Sequence, residues 1–187
     1  MYFSQSFLTY ACILAAIIQY VRIRKSESGV TNSAAVMHFG AMYPEAVRRG
    51  QWYRLITGGF VHFSTSHLFM NGYALYVMGT NLEPLLGHGR FALLLFGAIV
   101  AGNLFALWIG GSYTVSGGLS GGIYGLMGAE IVLIASLSGA QSLFTNVSFL
   151  SVLIINLAMN FIPGICWQAH LGGFTFGILC MQAFFRF

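Results

Sequence analysis

Residues 91–110 read FALLLFGAIVAGNLFALWIG, twenty positions without one charged side chain. A helix that crosses a bilayer needs about 20 predominantly apolar residues, and a half-buried strand would alternate polar with apolar. No such alternation occurs here, so the stretch is expected to be a membrane-spanning helix. Similar runs lie on both sides. The pattern predicts a first helix over Phe7 to Val21, a second over His67 to Glu83, and the quoted stretch as a third from Phe91 to Gly110. A fourth is expected from Ser120 to Leu137, a fifth from Leu143 to Ile162 and a sixth from Ala169 to Phe185. Pro163-Gly164 should stop the fifth. Only helices and closed barrels satisfy their backbone in lipid. The expected fold class is therefore an all-α membrane protein, a six-transmembrane-helix bundle, with residues 1–187 forming a single domain.

Composition points the same way. Of 187 residues, 57% are hydrophobic and only 6% charged, with a mean hydropathy of +0.78. A soluble domain carries about 25% charged residues, and a disordered chain is poor in hydrophobic ones. Both classes are excluded. The net charge of +4 is small, and no basic surface interleaved with aromatics suggests a nucleic-acid partner. Cys12, Cys166 and Cys180 lack paired or metal-ligand spacing and are expected to pack in the core.

The one long polar stretch covers residues 22–65. It holds Arg22, Arg24, Lys25, Glu27, Glu45, Arg48, Arg49 and Arg54, together with Trp52 and Tyr53, which suit a membrane interface. It is too apolar and aromatic for a flexible tether, so a large structured first loop is expected. Six of the eight Lys and Arg residues fall in it, which by the positive-inside rule would put it in the cytoplasm.

Ionisable groups within spans are costly and by default functional candidates. Those in or beside the spans are His62, His67, Glu83, Glu130 and His170, joined by the polar Asn71, Ser120 and Tyr124. Asn103, Asn156 and Asn160 are read as interhelical hydrogen-bonding groups. His67 and Asn71, at i and i+4, share one helix face; interhelical hydrogen bonding is the alternative reading of this pair. Gly118-Leu119-Ser120-Gly121-Gly122 fits G-x-S-x-G, but without the strand–turn–helix context of soluble hydrolases. A serine at a helix start still meets the positive helix end, which suits a developing oxyanion; it is equally the position of an ordinary cap. His170 begins the last helix, with Gly173 and Gly177 below it, and Gly117, Gly121 and Gly125 mark a facing small-residue stripe on the fourth. Close packing of these faces would bring Ser120 to His170, the arrangement that activates a nucleophile. The chain has no Asp, so the usual third member of a triad is absent and a Ser–His dyad is expected.

Taken together, the motifs resemble those of the rhomboid family of intramembrane serine proteases, in its minimal six-helix bacterial form. They are Trp52-Tyr53-Arg54-Leu55-Ile56-Thr57; His62 with His67-Leu68-Phe69-Met70-Asn71; Gly79, Glu83 and Gly87 at intervals of four; Gly118-Leu119-Ser120-Gly121 with Tyr124 and Gly128; and Ala169-His170-Leu171-Gly172-Gly173 with Gly177. The resemblance implies that Ser120 is the nucleophile and His170 the general base. It implies an oxyanion hole built from His67, Asn71 and the Ser120 N–H, and an aromatic, Tyr124, packed on the base. Arg54, Glu83 and His62 match structural positions. The segment before the base, Gly164 to Gln168, has the Trp-Gln form of some branches where others carry Asn. By the same resemblance the substrates would be single-span transmembrane proteins cut near the outer membrane surface, with lipid the other partner and no cofactor. The protein would lie in a bacterial plasma membrane with its active site outward and the first loop outside, against the charge count. The fifth helix, with Phe144, Phe149 and Phe161, would be a mobile wall for lateral entry. Glu83 is expected close to Arg90 near the far surface, and Glu130 about ten residues into its helix. Two other readings use the same residues: a metal site of His62, His67 and His170, and a catalytically inactive binder of transmembrane helices.

Overall fold

The computed structural model describes residues 5–26, 33–110, 115–161 and 164–185. Eight α-helices are described: α1 (Phe7–Lys25), α2 (Ser33–His38), α3 (Pro44–Arg48), α4 (Arg54–Thr57), α5 (Thr65–Ile109), α6 (Ser120–Ser138), α7 (Val147–Met159) and α8 (Trp167–Phe185). Short 3-10 turns cover Gly58–Phe60 and Ala140–Phe144. Among the described residues the only β pairing is an isolated bridge between Met42 and Ser116.

The expected second and third helices are both present and adjoin without a loop, in a 45-residue stretch that is helical on either side of Gly87. At about 1.5 Å per residue such a run would exceed twice a bilayer core. It does not run straight, because Gly87 adopts φ 73°, ψ 156°, a left-handed-side conformation that glycine alone takes at little cost. His67 and Asn71 from one arm and Ile99 and Asn103 from the other line the same cavity. The chain therefore folds back at Gly87, and the two arms lie side by side. Among the described residues, three helices are long and apolar enough to cross a membrane: α1, α5 and α6.

Other boundaries also move. α1 runs on to Lys25, so Arg22, Arg24 and Lys25 sit in its last turn rather than in the loop, where cations complement the negative helix end. The expected fifth helix is shorter, because the Asn146 side chain accepts from the Phe149 N–H and caps α7 there. Ile162 and Pro163, Glu27, and residues 111–114 of the glycine-rich stretch lie outside the described residues.

Small residues let the central helices meet backbone to backbone. Residues 121–130 of α6 are all buried. A Cβ on Gly173 or Gly177 of α8 would collide with the carbonyls of Gly121 and Gly125. On the other side, a Cβ on Gly125 would collide with Ala98 of α5 and one on Gly122 would press on Leu95 and Ile99. This is the small-residue packing that drives helix association in lipid, where apolar burial supplies little. α1 docks on the first arm of α5, where Cys12 and Ala16 join Ala74, Leu75 and Met78 in the core.

The first loop is pinned at many points. Arg54 is buried; its Nη1 donates to the carbonyls of Met37 (2.7 Å) and Ala41 (2.8 Å), and its Nε to Gln51 Oε1 (2.7 Å). Asn103 Nδ2 donates to Leu55 O (2.8 Å), so this asparagine ties α5 to α4 of the first loop. Thr57 Oγ1 donates to Gly40 O, and Gln19 Nε2 to Phe39 O. Trp52 and Tyr53 project outward, 58% and 55% exposed.

Glu83 is fully buried at the opposite end of the first arm of α5. Its carboxylate accepts from the N–H groups of Leu8 and Thr9 (2.8 Å each), from Thr9 Oγ1 (2.6 Å) and bonds His88 Nδ1 (2.6 Å). Its expected neighbour Arg90 instead lies over the Phe184 ring, 5.7 Å from the centroid. The carboxylate thus caps the start of α1, where unpaired N–H groups and the positive helix end favour an anion.

Candidate active site

Ser120 opens α6, directly after Leu119, and Tyr124 follows one turn later on the same face. His170 lies in the first turn of α8. The glycine contacts between these helices hold them so close that Ser120 Oγ and His170 Nε2 are 2.8 Å apart. The Tyr124 ring stacks on the imidazole, with centroids 4.2 Å apart and planes 8° from parallel.

The pair opens on a cavity of about 420 Å³, to which α5, the loop before α6, α7 and α8 all contribute. His67 and Asn71 line it from the first arm of α5. The His67 N–H is capped by Ser64 Oγ (3.1 Å), and its ring stacks on Phe63. Asn71 Nδ2 donates to His67 O (2.9 Å), leaving the second hydrogen of that amide unused by this bond; its Oδ1 is buried without a partner. Gly118 has φ +116°, and a Cβ there would stand 2.7 Å from His67 Nε2. The glycine lets the loop pass directly over the histidine.

His62 stands behind His67, ring centroids 4.9 Å apart, and is fully buried. Burial, with a smaller push from His67, takes its imidazole down to about 3, against a weak opposing bond to the Phe60 carbonyl. It is neutral at any physiological pH, and its Nε2 has no partner. Cys166 lines the cavity instead of packing in the core, and burial raises its thiol above the ordinary range. Arg54 and Glu83 lie away from the cavity, in the first loop and at the far end of the bundle. Glu130 is buried in α6 outside it, its Oε2 without a partner. Among the described residues no group of three His, Cys, Asp or Glu could hold a metal ion; His170 Nε2 faces a hydroxyl.

Asn160 bridges helices, as the sequence led one to expect, but its place beside the base was not foreseen. Asn160 Oδ1 lies 2.6 Å from His170 Nδ1, and Asn160 Nδ2 bonds the Tyr124 hydroxyl. The Tyr124 hydroxyl in turn donates to Asn156 O (2.7 Å). The Asn156 side chain turns back to Val152 O of its own helix, so it does not bridge helices. The signals were a polar residue in an apolar span and its i, i+4 spacing from Asn156, which put the two asparagines on one face.

A family model for the rhomboid domain matches residues 49–187. Rhomboid protease GluP of Bacillus subtilis (strain 168) is 31% identical over 178 residues, covering 94% of this chain and 34% of that protein. The putative rhomboid protease YdcA of the same organism is 30% identical over 151 residues, 75% of this chain and 73% of that protein. RHOMBOID-like protein 6, mitochondrial, of Arabidopsis thaliana is 32% identical over 163 residues, 81% of this chain and 52% of that protein. The chain thus spans about a third of the length of GluP and most of that of YdcA. With a family model covering most of its length and a match across most of YdcA, the chain belongs to the rhomboid family.

Proposed function

We propose that this chain is an intramembrane serine endopeptidase, with Ser120 as nucleophile and His170 as general base. The observation that carries the reading is the 2.8 Å approach of Ser120 Oγ to His170 Nε2 at the wall of a roomy cavity. In this mechanism the Ser120 hydroxyl proton passes to His170 Nε2 as Oγ attacks the scissile carbonyl carbon. The resulting oxyanion is held by the Ser120 N–H at the start of α6 and by the side chains of His67 and Asn71. Donors fixed in place before the reaction make such a hole effective. The imidazolium then gives its proton to the departing amine. Water, deprotonated by His170, releases the acyl group from Ser120 and restores the hydroxyl.

The substrates are single-span transmembrane proteins, cut where their helices unwind near the outer surface. Support comes from the apolar surroundings and from the names of the B. subtilis relatives, which are called a rhomboid protease and a putative one. The chain crosses a bacterial plasma membrane six times, the two arms of α5 counting as two crossings, with the first loop and the cavity on the outer side. Arg22, Arg24 and Lys25 in the last turn of α1 stay on the side of the first loop, so the charge count still opposes this orientation, which rests on membership of the rhomboid family.

The test is cleavage of a model single-span substrate by the purified protein in liposomes. Wild type should cut it, and Ser120→Ala and His170→Ala should each lose essentially all turnover. Undiminished cleavage by Ser120→Ala would remove the assigned nucleophile. Failure of the folded wild type to cut any of a panel of helix-destabilised substrates would favour a binder of transmembrane helices.

A further inference from the structure

An imidazole can serve as base at Nε2 only if its single proton sits on Nδ1. Nothing in the Ser120–His170 pair alone enforces that choice, because a hydroxyl both donates and accepts. The choice is enforced further along the chain of hydrogen bonds. Asn156 O is a backbone carbonyl and only accepts, so the Tyr124 hydroxyl must donate to it at 2.7 Å. That hydroxyl has no second proton. Towards Asn160 it only accepts, so it takes the NH2 end of the Asn160 side chain. The amide is thereby oriented with Oδ1 towards His170 Nδ1, 2.6 Å away. Oδ1 is an acceptor, so Nδ1 must carry the proton. Nε2 is left with its lone pair, into which Ser120 Oγ–H donates at 2.8 Å.

From this sequence of forced polarities we propose that Asn160 is the positioning residue of His170, holding it in the Nδ1–H tautomer through Tyr124 and the Asn156 carbonyl. The inference rests on the proposed protease chemistry for its consequence, but the tautomer itself is independent of it. Asn160 does for this site what a buried carboxylate does in a Ser-His-Asp triad, with a dipole in place of a charge. It holds the imidazole plane against Tyr124 and stabilises the Nδ1–H of the imidazolium formed during attack. Asn160 is the C-cap of α7, whereas Ser120 and His170 belong to α6 and α8. The base is therefore aligned only while the end of α7 is docked on Tyr124.

Two readouts test this on the full-length protein in lipid nanodiscs. The first is the protonation pattern of His170 from long-range 15N–1H spectra of 15N-histidine-labelled protein, assigned by the loss of its signals in His170→Ala. Wild type should show the proton on Nδ1 and a bare Nε2, and Asn160→Ala should show a mixture of tautomers. A proton on Nε2 in wild type, or an unchanged pattern in Asn160→Ala, would overturn the proposal. The second readout is the pH profile of cleavage. Asn160→Ala should lower kcat about 10- to 100-fold at little change in KM. The near-isosteric Asn160→Asp should recover much of kcat and move the acid limb upward by about one pH unit, because a carboxylate beside Nδ1 favours the imidazolium. Equal losses in both variants with an unmoved acid limb would reduce Asn160 to a packing role. If wild type shows no Ser120-dependent cleavage, the protease reading fails, and the spectra still decide the tautomer.

Discussion

The Cα of Gly177 lies so close to the Gly125 carbonyl that no side chain larger than hydrogen fits between α8 and α6. Gly173 stands in the same relation to Gly121, one turn nearer the Ser120–His170 pair. Gly177→Ala should therefore push the two helices apart or unfold the pair. Overpacking of this kind costs about 1–3 kcal/mol, and the obstacle here is backbone, which yields least. Thermal unfolding in detergent should show the loss, and Gly173→Ala should lower cleavage more than Gly177→Ala at matched folded fraction.

Glu83 should be a stability residue with no part in the chemistry. Four donors converge on its fully buried carboxylate and fasten the start of α1 to the turn at Gly87. Removing the carboxylate leaves its buried neutral donors unpaired, which costs about 1–3 kcal/mol for each donor left unsatisfied. Glu83→Ala should lower the unfolding midpoint strongly, while the protein that remains folded keeps its kcat. A folded variant with lost turnover would contradict this.

Arg54 makes a prediction about chemical type rather than charge. Its guanidinium serves two backbone carbonyls and Gln51 from one planar fork and lies over Tyr53, 5.4 Å from the centroid. A lysine ammonium cannot reproduce that geometry. Arg54→Lys should destabilise the first loop by about 1.5–3 kcal/mol, read as faster limited proteolysis within the segment around α2 to α4. Unchanged proteolysis would show that charge alone suffices.

His62 gives the fold a pH dependence. Its folded-state value of about 3 lies below the ordinary histidine value of 6.5, so the unfolded chain binds the proton first as pH falls. The neutral, buried histidine contributes fully above pH 6.5, and its contribution is lost as pH drops towards 3. Between pH 7 and pH 5 the loss amounts to about 2 kcal/mol. His62→Gln should flatten that part of the stability profile, and an equally steep profile in the variant would assign the dependence elsewhere.

What the sequence showed and hid follows from the range of the forces involved. Apolar runs and small-residue stripes are local patterns, so the helices and the Gly121/Gly125 and Gly173/Gly177 faces could be read directly. The break between the second and third helices could be read too, but not how tight it is. Pro84, Gly87 and Gly89 look like a loop, yet helix continues through Pro84 and a single residue makes the turn. Glu83 was matched with Arg90, but three of its four donors lie about 75 positions away, at the start of α1, and the fourth is His88. Asn160 was read only as a helix-bridging group. Its partner is ten residues on, in the next helix, and sequence spacing does not specify how two successive helices face each other.

The most direct test of the central claim is covalent. The purified protein in lipid is treated with a fluorophosphonate probe and digested, and the modified peptide is sequenced by mass spectrometry. The account predicts one adduct, on Ser120, abolished in Ser120→Ala and strongly slowed in His170→Ala. Labelling that persists in Ser120→Ala, or that proceeds at the wild-type rate without His170, would contradict it.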